Sequence, residues 1–118
     1  MTKEIVVKFS QPFITDAKLA QQWKAKAIGD SGARDLIKAV ISDFSNQVRL
    51  FPDSGAPDKL INSLNLGERY RVLLKGEYKF LYKLSESDDK ILIDVLIFCH
   101  QRMDYNTLLK QRLLQGLL

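Results

Sequence analysis

Apolar and polar positions follow two different periods along this chain, and the change of period divides it. Ile5-Val6-Val7-Lys8-Phe9 is a short β-branched run closed by Ser10-Gln11-Pro12, which predicts a first strand over 5–9. Phe13, Ala17, Ala20, Trp23 and Ala27 then recur at steps of three and four, predicting a helix over 12–28 that Gly29 ends. Ser10 is placed to cap that helix, and Pro12 suits its first turn, where a missing N–H has no intrahelical partner to lose. Trp23, on the apolar stripe, is expected as core filling. A stronger stripe of Ala33, Leu36, Ile37, Val40, Ile41, Phe44 and Val48 predicts a second helix over 31–50, capped by Asp30 or Ser31. So short a connection implies an antiparallel helical hairpin.

Phe51 to Pro57 is rich in turn residues, and Asp58 to Leu64 reads as a single helical turn before Gly67. From there the period becomes two, with strands expected over 68–75, 78–84 and 90–98. Tyr70, Val72 and Leu74 alternate with Arg69, Arg71, Leu73 and Lys75; after the tight turn at Gly76-Glu77, Tyr78, Phe80, Tyr82 and Leu84 alternate with Lys79, Leu81 and Lys83. Each strand is therefore expected to have one apolar face, and the pair to share a cationic one. Ile91 to Phe98 is apolar apart from Asp94, as an inner strand covered on both sides would be, and the first strand is placed beside it. Asp104 opens a last helix over 104–116, with Leu108, Leu109, Leu113, Leu114, Leu117 and Leu118 to bury. The expected class is α+β: one domain over 1–118, a β-α-α-β-β-β sheet covered by an N-terminal helical hairpin, with a C-terminal helix.

Composition narrows the chemistry. A chain of 118 residues with 46% apolar and 27% charged residues suffices for one packed core. No apolar run nears the roughly 20 residues of a membrane span, and Met1-Thr2-Lys3-Glu4 leads into a strand pattern, so a cytoplasmic protein without membrane attachment is expected. The sole cysteine, Cys99, lies in an apolar run and is expected to be a buried spectator. With one Cys and one His, and no Gly-rich phosphate loop, neither a metal nor a cofactor is expected. The net charge of +4 admits either a nucleic acid or an acidic protein as partner.

Two groups of residues are candidates for chemistry. One is the cationic face of Arg69, Arg71, Lys75, Lys79 and Lys83, where repelling like charges suggest an anion; the alternative is a solvated face partly neutralised by Glu68 and Glu77. The other is His100-Gln101-Arg102-Met103-Asp104, where the last strand enters the last helix. His100 is a candidate general base, with Arg102 to stabilise a developing phosphoryl charge and Tyr105 nearby. The alternative has His100 bonded to backbone, with Arg102 and Asp104 merely pairing or capping.

The order strand, helical hairpin, three-strand meander and His-x-Arg-x-Asp resembles the RelE/ParE superfamily of toxins from bacterial type II toxin–antitoxin systems. The residues that carry it are Pro52 with Gly55, Arg69-Tyr70-Arg71-Val72-Leu73, Gly76-Glu77-Tyr78-Lys79-Phe80-Leu81-Tyr82 and His100-Gln101-Arg102-Met103-Asp104. The resemblance implies one of two activities. In a RelE-like, ribosome-dependent mRNA endonuclease the site would be Arg71, Lys79, Arg102 and Tyr105, but Lys79 stands where that branch has Arg and lacks its planar phosphate-clamping fork. A ParE-like toxin instead inhibits DNA gyrase and needs no catalytic residue. The long hairpin and the His-Gln-Arg-Met-Asp ending favour this branch, with Arg69, Arg71, Lys79, Lys83, His100 and Arg102 as binding residues. Either branch implies a cognate antitoxin and a toxin–antitoxin hetero-oligomer. A non-toxic binding protein on the same fold is the third reading.

Overall fold

In the computed structural model of the protein, residues 3–63 and 69–118 are described; Leu64, Gly67 and Glu68, and with them the expected start of a strand at 68, lie outside them. The chain runs β1 (Glu4–Phe9), α1 (Gln11–Ile28), α2 (Asp30–Leu50), β2 (Ala56–Pro57), α3 (Lys59–Ser63), β3 (Arg69–Lys75), β4 (Tyr78–Glu86), β5 (Lys90–His100) and α4 (Tyr105–Leu114). Its five strands form one sheet in the order β1-β5-β4-β3-β2. β1 lies parallel to β5, and the meander pairs are antiparallel. The α+β class and the inner position of β5 thus match expectation; the two-residue β2 was not anticipated.

Local chemistry explains the hairpin's limits. Ser10 accepts the Phe13 amide (3.2 Å) and so occupies one of the free donors at the start of α1. At Gly29 the backbone takes φ +85°, a value an L side chain resists, and α1 ends there. α2 follows at once, with Gly29 itself as cap and no side-chain cap bond, so neither Asp30 nor Ser31 plays the expected role.

The sheet is covered on both faces. On one, Phe13 of α1 and Ile37, Val40, Phe44 and Val48 of α2 pack against Leu73, Tyr78, Phe80, Tyr82, Leu84, Ile93, Val95 and Phe98. Phe44 stacks on Phe80 at 4.2 Å between ring centroids, and Phe98 on Tyr78 at 4.8 Å. On the other face, Ile61 of α3 and Leu109 of α4 pack against Tyr70, Leu81, Leu96, Ile97 and Cys99. Trp23 joins neither core: it is 72% exposed. The reason is angular, because Phe13, Ala17, Ala20 and Lys24 hold the line towards the sheet and Trp23 falls about 100° from Lys24 on the outward flank.

A bulge in β5 shapes the rest. Leu81 pairs with Ile97 and Tyr82 with Val95, leaving Leu96 as the extra residue. β1 accompanies β5 only as far as Val95, so the backbone beyond it has no strand neighbour on that edge among the described residues. Side chains take over: the Phe98 amide donates to Asp16 of α1 (3.2 Å), and Arg112 of α4 donates to the Leu96 carbonyl (3.2 Å).

Candidate functional site

The register of β3 against β4 decides which predicted residues can act together. Arg69 lies opposite Leu84, Arg71 opposite Tyr82 and Lys75 opposite Tyr78, which puts these three on the face covered by the hairpin. Lys79 and Lys83 lie opposite Leu74 and Tyr70, on the other face. No single cationic face exists. Period two is indifferent to which face the second strand presents, and the two-residue turn at Gly76-Glu77 sets the cationic positions of β3 opposite the aromatic positions of β4.

Arg71 is occupied by structure. Its Nη1 donates to the carbonyls of Gly55 (2.7 Å) and Asp53 (3.2 Å), holding the 52–55 turn against the sheet. The buried Tyr82 hydroxyl completes that anchor by accepting the Gly55 amide (2.9 Å) and donating to the Pro52 carbonyl (2.8 Å). Gly55 has no room for a side chain: a Cβ there would sit 2.8 Å from Tyr82 Oη and 3.0 Å from the Val72 carbonyl. Arg69 lies at the far end of the sheet, 3.7 Å from Glu86, on a groove of about 400 Å³ shared with Leu50, Phe51 and Ile91. From there to the His100 end is six residues along β4, or about 20 Å.

At that opposite end the β3–β4 turn, the end of β5 and the start of α4 converge. His100 Nδ1 accepts the Arg102 amide (3.1 Å), so it carries no proton there, and Nε2 faces Glu77 Oε2 at 3.2 Å. Both ring nitrogens are engaged, and the ring meets Tyr78 edge-on at 5.4 Å. Glu77 also lies 3.7 Å from Lys24 of α1; the His100 bond first, then the Lys24 charge, holds its carboxyl below the usual glutamate range. Asp104 accepts from the amide of Thr107 (3.1 Å) and from its hydroxyl (2.6 Å), and those bonds lower its pKa. His100 and Asp104 thus clamp the two ends of the turn. Arg102 stands exposed between them, with no hydrogen bond or ion pair to its guanidinium among the described residues.

Lys79 and Tyr105 meet on the other face. Lys79 Nζ lies 5.1 Å from the centre of the Tyr105 ring, and the Tyr105 hydroxyl donates to Asp58 Oδ2 at 2.8 Å. Asp58, only 7% exposed, also caps α3 through the Ile61 amide (2.9 Å). Burial, then Asp58, pushes the Tyr105 phenol well above its ordinary pKa. Lys83 lies 5.9 Å from the Tyr70 ring. Cys99 is buried, and burial raises its thiol to about 11.

The sequence reading passed over Asp16, Asp58 and Arg112. Asp16 carried a visible signal, falling with Phe13, Ala17 and Ala20 on the sheet-facing side of α1, where an acid needs a partner. Arg112, 8% exposed among the leucines of α4, is that partner, and the two side chains form a direct ion pair.

Among the described residues no helix is long and apolar enough to cross a membrane. No family model and no curated protein matches the chain. Among solved structures, a chain of the chromosomal ParDE TA system from P. aeruginosa has a similar fold, with a TM-score of 0.57 and 13% identity, the match covering 84% of this chain and 98% of that one. At that identity, the likeness is one of fold.

Proposed function

We propose that this chain is the toxin of a type II toxin–antitoxin pair, acts by contact on DNA gyrase without cleaving a substrate, and is held inactive by a cognate antitoxin. The observation that carries the toxin reading is the fold likeness to a ParDE chain over nearly that chain's whole length. The non-hydrolytic reading draws on how the alternative site's residues are used. Arg71 spends its Nη1 on loop carbonyls, Tyr105 donates its hydroxyl hydrogen bond to Asp58, and Lys79 lies over the Tyr105 ring. Of the four, Arg102 alone is exposed with a free guanidinium. On this reading Arg102 is the contact residue, and His100 and Glu77 position it.

Induced expression in a bacterium with no antitoxin tests the first part. Growth should stop, and Arg102→Ala should restore it with the protein folded and abundant. Normal growth in cells full of folded wild-type protein would overturn the toxin reading in favour of a non-toxic binding protein.

A further inference from the structure

The amide of the exposed Arg102 is held by the side chain of His100, the only histidine in the chain. Histidine is the side chain that ordinarily changes charge between about pH 5 and 8, and the bond to Arg102 needs its Nδ1 bare. The ring is 28% exposed, so protons reach it from solvent. Nε2 faces Glu77 Oε2 of the β3–β4 turn at 3.2 Å, Lys24 of α1 stands 3.7 Å from that same oxygen, and the Arg102 charge also reaches Glu77. Tyr78 of β4 meets the ring edge-on at 5.4 Å. Among the described residues, Glu77, Lys24, Arg102 and Tyr78 are thus the titratable and charged groups around His100.

The two ring nitrogens respond to acid in opposite senses. A second proton goes to Nδ1 and turns an acceptor into a donor aimed at another donor, so the bond to the Arg102 amide is lost. The same proton makes the Nε2–H bond to Glu77 charge-assisted, which keeps the ring in place. The flanking backbone is held independently: the Gln101 amide donates to the Glu77 carbonyl (2.7 Å) and the Met103 amide to the His100 carbonyl (2.9 Å). Protonation therefore acts on Arg102 alone.

We propose that His100 is a proton-sensitive latch on Arg102: with Nδ1 bare it fixes the Arg102 backbone, and with Nδ1 protonated it lets go. A fixed backbone lowers the entropy that a partner must overcome to bind the guanidinium, so acidification weakens contact through Arg102. That consequence rests on the reading of Arg102 as the contact residue; the latch itself does not.

NMR of the isotope-labelled full chain between about pH 5 and 8 tests the latch. Imidazole nitrogen shifts should show the neutral ring protonated at Nε2. The Arg102 amide should lose its protection from hydrogen exchange along the His100 titration, with the same midpoint. His100→Asn offers Oδ1 where Nδ1 stood and cannot titrate, so there the Arg102 amide should stay protected throughout. A neutral ring protonated at Nδ1, or an Arg102 amide that ignores the His100 titration, overturns the latch in the wild-type protein alone. So does a loss of protection that persists in folded His100→Asn, as titration of Glu77 or Asp16 would give. Gyrase supercoiling assayed at the two ends of the same range separates the latch from the toxin reading. The ratio of wild-type to His100→Asn inhibitory concentrations should rise several-fold on acidification. A constant ratio beside a working latch would overturn its effect on contact, whereas no inhibition at any pH beside a working latch would contradict the gyrase reading alone.

Discussion

Asp16 and Arg112 form an ion pair that ties together the helices on opposite faces of the sheet. Each also repairs the open edge of β5, Asp16 by accepting the Phe98 amide and Arg112 by donating to the Leu96 carbonyl. The bulge at Leu96, the end of β1 and the docking of α4 are thus one structural event. Both side chains are only 10% exposed, so losing one partner strands a charge among apolar residues. Arg112→Ala should cost about 3–5 kcal/mol in denaturant unfolding. α4 should also loosen, so that Cys99, packed in the same cluster as Leu109, reacts faster with a thiol reagent. Wild-type Cys99 reactivity in a folded Arg112→Ala protein would refute the coupling.

The anchored 52–55 turn gives a second prediction. Gly55→Ala pushes a methyl against Tyr82 and the Val72 carbonyl and should destabilise by about 1–3 kcal/mol. Tyr82→Phe leaves the Gly55 amide and the Pro52 carbonyl without that hydroxyl and should cost a similar amount, about 1–3 kcal/mol. Because both act through the same contact, the double variant should fall short of the sum of the two in thermal unfolding.

Acid should weaken the start of α4 and the Gly76-Glu77 turn beside it. Asp104 and Glu77 have carboxyls lowered in the folded state, so the stability they contribute is present above the ordinary carboxylate values of 3.8 and 4.5 and is lost as pH falls through their lower folded values. Asp16 runs the other way. Burial raises its carboxyl against the pull of Arg112. Asp104→Asn keeps a capping oxygen but cannot titrate. Its Tm at neutral pH should lie below the wild type's, and the gap should narrow as pH falls below about 4.

Tyr105→Phe separates the two toxin readings. Removing the hydroxyl takes a donor from buried Asp58 and should lower stability by about 1–3 kcal/mol. Growth inhibition should persist. Loss of toxicity in a protein that still folds would favour the endonuclease reading.

The element order was legible because the two periods are strong: the α2 stripe of Ala33, Ile37, Val40, Phe44 and Val48 is buried as spacing alone predicts. Trp23 was misassigned because one stripe on an 18-residue helix drifts in angle, and the drift carried its last large residue off the sheet. The cationic face failed for a different reason. Alternation holds in β4, but in β3 Leu74 of the expected apolar face is exposed while Leu73 of the expected cationic face is buried, and the relative phase of the two strands depends on a turn that no pattern within a strand encodes. The Asp16–Arg112 and Tyr105–Asp58 contacts join residues 96 and 47 positions apart, and only the packed helices bring them together.

The most direct test of the central claim measures two targets side by side. Purified protein is titrated into DNA gyrase with relaxed plasmid, and separately into ribosomes carrying messenger RNA. Supercoiling should fall with dose while the messenger stays whole, and Arg102→Ala should raise the inhibitory concentration by at least about tenfold. Unimpaired supercoiling together with cleaved messenger would contradict the account.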